Sequence, residues 1–234
     1  MSVAEGPMGR DQDGRDQPLE LHGAEARIVF LLALRAKGLR DTRVLSAFET
    51  VPRSRFVPQR FIDLAMTDVS LPIACGQSTL APSVMAEMII ALDVRPEHRV
   101  LEVGTGSGYG AAILGKLAGE VVSVERYRSL AIEAQGRLDA LGVGNVVVRH
   151  ADGRNGWDAG APYDRILIHA AVTEAPPALV AQLAPTGRIV AVERSASRSS
   201  LVRYSRGATM DELARVVIGP LALPALMEGV AQAL

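Results

Sequence analysis

Apolar residues first recur at helical spacing from Ala24 to Lys37, and Gly38 directly after them predicts the end of a helix. Asp41 then reads as the cap of a second helix, Thr42 to Glu49, which Pro52 closes. With the segment through Met66, these helices predict an N-terminal cap rather than part of a repeating α/β unit. Val84, Met85, Met88, Ile89 and Leu92 fall on one helical face, so a further helix is expected over 83 to 92, leading to Arg95-Pro96.

Beyond that point the period changes. Short apolar runs predict strands at Arg99 to Val103, Glu120 to Val124, Val146 to Arg149, Arg165 to His169 and Arg188 to Val192, with helices near 108 to 118, 127 to 141 and 176 to 183. This alternation predicts βαβ crossovers and an α/β fold, a Rossmann-like doubly wound, mostly parallel sheet covered on both faces. Leu201 to Tyr204 and Leu213 to Ile218 read as two more strands without a helix between them, pairing antiparallel at an edge. Residues 1 to 22, with Gly6, Gly9 and Gly14 among several Asp, Arg and Gln, carry no apolar period and are expected to form a disordered leader.

Composition narrows the partners. The 234 residues are 48% hydrophobic, enough for one core but not for a large second domain. A net charge of -1, from 25 basic and 26 acidic residues with no basic-aromatic stripe, argues against nucleic acid. The longest early apolar run, Ile28 to Leu34, falls far short of the ~20 residues of a membrane helix, and the polar leader does not resemble a signal peptide. One cysteine excludes an internal disulfide and fits a reducing compartment, so a cytoplasmic protein without a membrane partner is expected.

The strongest motif is Leu101-Glu102-Val103-Gly104-Thr105-Gly106-Ser107-Gly108-Tyr109-Gly110, between a predicted strand and a predicted helix. Glycines at such a turn let backbone N–H groups approach a ligand at the positive end of a helix. Glu125 ends the next strand, where an acid can hold the two hydroxyls of a ribose. A dinucleotide fingerprint would need glycine at position 109, which is Tyr109, and Glu102 would oppose a pyrophosphate while favouring a cation. S-adenosylmethionine carries a sulfonium and an ammonium and no phosphate, so the pattern favours it over NAD. Asp152-Gly153 follows the third strand and reads either as an ordinary turn or as the acceptor for an adenine amino group.

Taken together, Arg40-Asp41 to Val51-Pro52-Arg53, Phe56-Val57-Pro58, Leu71-Pro72-Ile73 with Gly76-Gln77, the glycine loop, Ser123 to Arg126, Asp152-Gly153 with Gly156-Trp157, and Ala161 to Asp164 resemble the protein-L-isoaspartate O-methyltransferases. The similarity runs from about Ala24 to Val192. It implies a seven-stranded sheet with its last strand antiparallel, and transfer of a methyl group from S-adenosylmethionine to the free carboxylate of isoaspartyl residues in damaged proteins. Gln77, Ser78 and Thr79 would cover the methionine end of the cofactor, Gly104, Thr105, Gly106 and Gly108, behind Glu102, its carboxypropyl and ribose parts, Glu125 and Arg126 the ribose and adenine edge, and Asp152 with Gly153 the adenine. Ile73, Gly76, His169 and Ala170 would contact the acceptor. The chain then divides into the leader over 1–22, a helical cap and active-site loop over 23–82, and a methyltransferase domain over 83–234.

Ala151 and Glu193 are lesser departures from the family, and one position departs in a way that bears on the chemistry. Gly-Gln-Thr-Ile-Ser, one residue and Pro is its usual stretch, with the Ser hydroxyl beside the reacting methyl; the register set by Gly76, Gln77 and Pro82 puts Leu80 there. Ser78, Thr79 and Leu80 are therefore the catalytic candidates. Two further readings stay open: a relative that methylates another carboxylate or a hydroxyl on a peptide or small metabolite, and a non-catalytic nucleoside-binding module. A carboxylate acceptor, with a pKa near ~4, is already ionised at neutral pH and needs no general base.

His22, His98, His150 and His169 show no metal-ligand spacing with one another or with Cys75, and no metal site is expected. His98 reads as a surface residue. His169 ends the fourth predicted strand and is either a strand-end histidine bonded to backbone or a substrate-pocket contact. Cys75 is expected to be a small buried side chain rather than a nucleophile, and Trp157 a packing residue under the adenine-side loop.

Overall fold

The computed structural model describes residues 24–207 and 213–231; the leader expected over 1–22 lies outside the described residues. Helix α1 (Ala24–Ala36) ends where Gly38 takes a φ of +93°. Helix α2 (Thr42–Thr50) begins at Asp41, whose Oδ1 accepts from the N–H groups of Arg43 (2.9 Å) and Val44 (3.3 Å), the capping role its position predicted. Two short 3-10 turns, Arg53–Arg55 and Gln59–Leu64, complete the cap before α3 (Pro82–Leu92).

The remaining elements alternate: β1 (Arg99–Val103), α4 (Tyr109–Leu117), β2 (Glu120–Glu125), α5 (Arg128–Ala140), β3 (Val146–His150), β4 (Tyr163–Val172), α6 (Pro177–Ala181) and β5 (Leu183–Arg194), then β6 (Ser199–Arg206) and β7 (Leu213–Pro220). They form one seven-stranded sheet in the order β3-β2-β1-β4-β5-β6-β7, with β1 to β5 parallel to one another. Strand β6 is antiparallel to β5, and β7 is antiparallel to β6. The reversed strand is thus the sixth, not the last as the resemblance implied, because β7 turns back to the direction of β1 to β5.

Central strands are buried on both faces, as parallel strands require, and their side chains divide by alternation. Val100, Val121, Leu167 and Val190 join α1 to α4 in one core cluster, while Leu101, Val103, Ile166, Ile168 and Ile189 pack on the other side with Leu179 of α6. Among the described residues, the one helix on that second side is α6, which is shorter than expected. Pro176 and Pro177 start it late, and the Tyr163 N–H takes the Gln182 carbonyl at 2.8 Å, which begins the β4–β5 pairing early.

Candidate functional site

Strand order reverses at β1, with β2 on one side and β4 on the other, and ligands collect at the carboxyl ends of strands flanking such a switch. The loop after β1 rises there through Gly104 (φ +96°), Gly106 (φ +56°) and Gly108 (φ +92°). A Cβ on Gly104 would lie 3.3 Å from the His169 Cβ, so glycine lets β1 and β4 approach at their ends. Gly108 caps α4 and faces α5; a Cβ there would lie 3.1 Å from the Ala134 Cβ.

Glu125, at the end of β2, ties two loops together. Its Oε2 accepts from the Gly106 N–H at 2.8 Å and its Oε1 from the Tyr127 N–H at 3.0 Å. Burial raises its pKa, and these N–H donors oppose the rise. Each carboxylate oxygen keeps a second lone pair, which suits two further hydroxyl donors. Beneath the loop Glu102 is fully buried. Its Oε2 accepts from Ser123 Oγ at 2.5 Å, Ser123 Oγ meets Thr105 Oγ1 at 2.5 Å, and its Oε1 lies 2.9 Å from His169 Nε2. A buried carboxylate is thereby hydrogen-bonded on both oxygens.

A small hairpin roofs this floor. The Ile73 N–H donates to the Gln77 carbonyl (2.9 Å) and the Thr79 N–H to the Leu71 carbonyl (2.8 Å), with a bridge between Pro72 and Ser78. Cys75 and Gly76 form its tip, with φ of +60° and +64°. Contrary to expectation Cys75 is therefore part-exposed on a turn rather than buried, and its Sγ lies 3.3 Å from Ser129 Oγ. Arg53, only 1% exposed, clamps the base of the hairpin. Its guanidinium donates to the carbonyls of Ala65, Thr67, Val69 and Leu80 and to Thr79 Oγ1.

This clamp separates the three catalytic candidates. Thr79 is buried, and its Oγ1 accepts from both Arg53 and the Leu71 N–H (3.2 Å each), so its hydroxyl is committed to the hairpin. Leu80 packs against the main core cluster while lining the cleft. Ser78 is exposed at the cleft mouth, and its hydroxyl makes no hydrogen bond within the described residues.

A second covering element comes from the C-terminal segment, residues 221–231. The Ala171 N–H donates to the Pro224 carbonyl (2.7 Å) and the Leu226 N–H to the Ala171 carbonyl (2.8 Å), which lays the segment across the end of β4. Farther along, the Gly229 N–H donates to Asp152 Oδ2 at 2.8 Å, Arg126 Nε donates to the Gly229 carbonyl at 3.1 Å, and Arg154 pairs with Glu228 at 2.7 Å.

Two joined clefts result, of about 110 and 440 Å³. Both are lined by Gln77, Ser78, Leu80, Gly104, Glu125 and His169. Of the remaining candidates, Thr79, Glu102, Thr105 and Gly106 line the smaller cleft, and Arg126, Gly153 and Ala170 the larger. Gly108, Asp152, Ile73 and Gly76 line neither. Gly108 packs on α5, Asp152 spends one carboxylate oxygen on the Arg154 N–H and the other on Gly229, Ile73 is buried below Gly106, and Gly76 is at the exposed tip. Sequence reasoning missed Tyr109 and Gly110 as cleft residues and the whole of 222–227, which has no periodic pattern to mark it.

His98 is half-buried, its Nδ1 accepting from the Arg95 N–H at 3.0 Å. Trp157 packs against the second core cluster under the Arg149 guanidinium, a packing role as expected.

Comparison with known proteins matches this geometry to a family. The family model for protein-L-isoaspartate(D-aspartate) O-methyltransferase matches residues 27–221. Among curated relatives, a protein-L-isoaspartate O-methyltransferase of Xanthobacter autotrophicus is 48% identical over 208 residues, covering 86% of this chain and 94% of the relative. That of Maricaulis maris is 42% identical, covering 88% of this chain and 96% of the relative. A solved protein-L-isoaspartate O-methyltransferase superposes with a TM-score of 0.76 at 25% identity, covering 87% of this chain and 67% of that one. A Plasmodium falciparum protein in complex with S-adenosyl-L-homocysteine shares the fold, with a TM-score of 0.73 at 19% identity over 85% of this chain and 97% of its own. With a family match running from α1 to the end of β7, and identity sustained over most of both chains, this chain belongs to the protein-L-isoaspartate(D-aspartate) O-methyltransferase family.

Proposed function

We propose that this chain methylates the free carboxylate of L-isoaspartyl residues in proteins, using S-adenosylmethionine, as the opening step of protein repair. The observation that carries the reading is the pair of joined clefts at the strand switch, with Glu125 and the glycine loop as floor and Ser78 and Leu80 as roof. When bound, the cofactor supplies an electrophilic methyl on a sulfonium, which the acceptor oxygen displaces in line as a neutral thioether leaves. The lining fits such a group: a buried acid at the ribose position, the main chain of a glycine loop beside it, and, among the described residues, no Lys or Arg side chain on the smaller cleft.

The residues divide the work as follows. Glu125 holds ribose hydroxyls, while Gly104, Thr105 and Gly106 bring main chain close to the carboxypropyl part, over Glu102. Gly108 shapes the start of α4 and acts through the loop. Arg126 and Gly153 border the adenine end, and Asp152 holds the covering segment there through Gly229. Gln77 and Ser78 cover the methionine end, and Thr79 holds the hairpin through Arg53. Ser78 supplies the hydroxyl that Leu80 lacks, and Leu80 with Ala170 excludes water beside the acceptor carboxylate. Ile73 and Gly76 set the shape of the hairpin against which the acceptor chain rests.

Catalysis here is alignment and dehydration. A positioned near-attack pair contributes up to roughly 7 to 11 kcal/mol of the barrier, which no proton transfer has to supplement when the nucleophile is already ionised. Among the described residues no helix is long and apolar enough to cross a membrane. A single cysteine fits a reducing compartment, and we place the enzyme in the cytoplasm. The reading is tested by incubating the chain with labelled S-adenosylmethionine and an isoaspartyl peptide. Base-labile label released as methanol is expected; cofactor binding without ester formation would refute it.

A further inference from the structure

Glu102 and His169 form a pair whose purpose the fold alone leaves unexplained. Glu102 is 0% exposed and the His169 side chain 9%, with Oε1 and Nε2 2.9 Å apart. Space for them is made by α4: a Cβ on Gly110 would come within 2.5 Å of Glu102 Oε1 and 3.2 Å of His169 Nε2. An ionised carboxylate only accepts, and Ser123 already donates to its other oxygen, so the proton in the pair sits on Nε2. With the proton on Nε2 alone, Nδ1 carries a lone pair, and it is buried without a hydrogen-bond partner among the described residues. A buried acceptor left unpaired is costly, and His169 lines both clefts, where a bound ligand can supply a partner.

The two ligands of the proposed reaction differ at this point in charge and in hydrogen-bonding sense. An acceptor carboxylate would bring lone pairs and negative charge toward Nδ1 and Glu102. The cofactor's amino-acid end brings, beside its own carboxylate, an ammonium, a cation with donors only. We propose that His169 Nδ1 accepts a hydrogen bond from the α-ammonium of S-adenosylmethionine, and that Glu102, through the imidazole, supplies the negative charge this cation meets. His169 is therefore a cofactor residue rather than an acceptor contact; the inference rests on the cofactor reading above.

Calorimetric binding of S-adenosylhomocysteine, which keeps the amino-acid end, and of 5′-methylthioadenosine, which lacks it, separates the two claims. In His169→Ala the affinity for S-adenosylhomocysteine should fall about ten- to hundredfold more than that for methylthioadenosine, the size expected of a hydrogen bond to a charged group. His169→Gln, whose side-chain oxygen can accept, should recover part of that difference. Methylthioadenosine binding in each variant reports that the site is folded. Equal losses for both ligands, or none, would overturn the assignment of His169, whereas a wild-type chain that bound neither would overturn the cofactor reading itself.

Discussion

The floor and the roof of the cleft are held by different means. Below, two buried carboxylates organise the strand ends: Glu125 collects backbone N–H groups and Glu102 collects Ser123 and His169. Above, the hairpin at 71–79 and the segment at 221–231 are fixed by main-chain bonds and by arginines, Arg53 on one and Arg126 on the other. The difference assigns tasks. A floor built on buried acids is rigid and suits a cofactor of fixed shape, whereas a roof of short main-chain links suits a surface that must admit a protein chain.

Breaking the roof at its clamp should have the largest effect. Arg53→Met takes the guanidinium donor from four carbonyls and leaves the Thr79 hydroxyl with the Leu71 N–H alone, and stability should drop by about 3 kcal/mol or more, read by denaturant unfolding. A loss below about 1 kcal/mol would mean the hairpin does not depend on it.

On the floor, Glu125→Ala should weaken S-adenosylhomocysteine binding by about 1.5 to 3 kcal/mol while the roof stays in place. Unchanged affinity would move the ribose elsewhere. Burial raises the Glu125 pKa, so its proton returns at a higher pH than on an exposed carboxylate. Protonation removes acceptor capacity, so cofactor affinity should be full above that raised pKa and decline as pH falls through it. Glu125→Gln should lack this decline when the two dissociation constants are compared across pH.

A smaller effect is expected from removing residues 222–234. The cofactor should bind roughly three- to tenfold more weakly, corresponding to one net hydrogen bond's worth of covering contacts, with the sheet intact by circular dichroism. A larger loss would make the segment part of the floor. Smallest of all, Leu80→Ser should raise methyl transfer by less than about tenfold with unchanged cofactor affinity, because Ser78 already offers a hydroxyl at the cleft mouth. No change in kcat would mean that Ser78 already does the work or that no hydroxyl is needed at position 80.

The same contrast explains what could be read from the sequence. Asp41 as a cap, the glycine loop and Glu125 at a strand end are local patterns, each set by residues within one turn or one strand, and the structure has them where the pattern puts them. The floor's Glu102–His169 pair was not legible, because the residues are 67 positions apart and meet only when strand order reverses beside β1. Cys75 was misread because an apolar preference says nothing about a turn tip that needs positive φ. The covering segment was invisible for a related reason: its main-chain links to Ala171, Asp152 and Arg126 leave no hydrophobic period behind.

Acceptor choice is the claim on which floor and roof must agree. It is measured most directly by kcat/KM for methyl transfer to an isoaspartyl peptide and to its normal aspartyl counterpart. The account predicts transfer to the isoaspartyl form with the aspartyl form at background; equal rates on the two peptides, or transfer to neither from a chain that binds the cofactor, would contradict it.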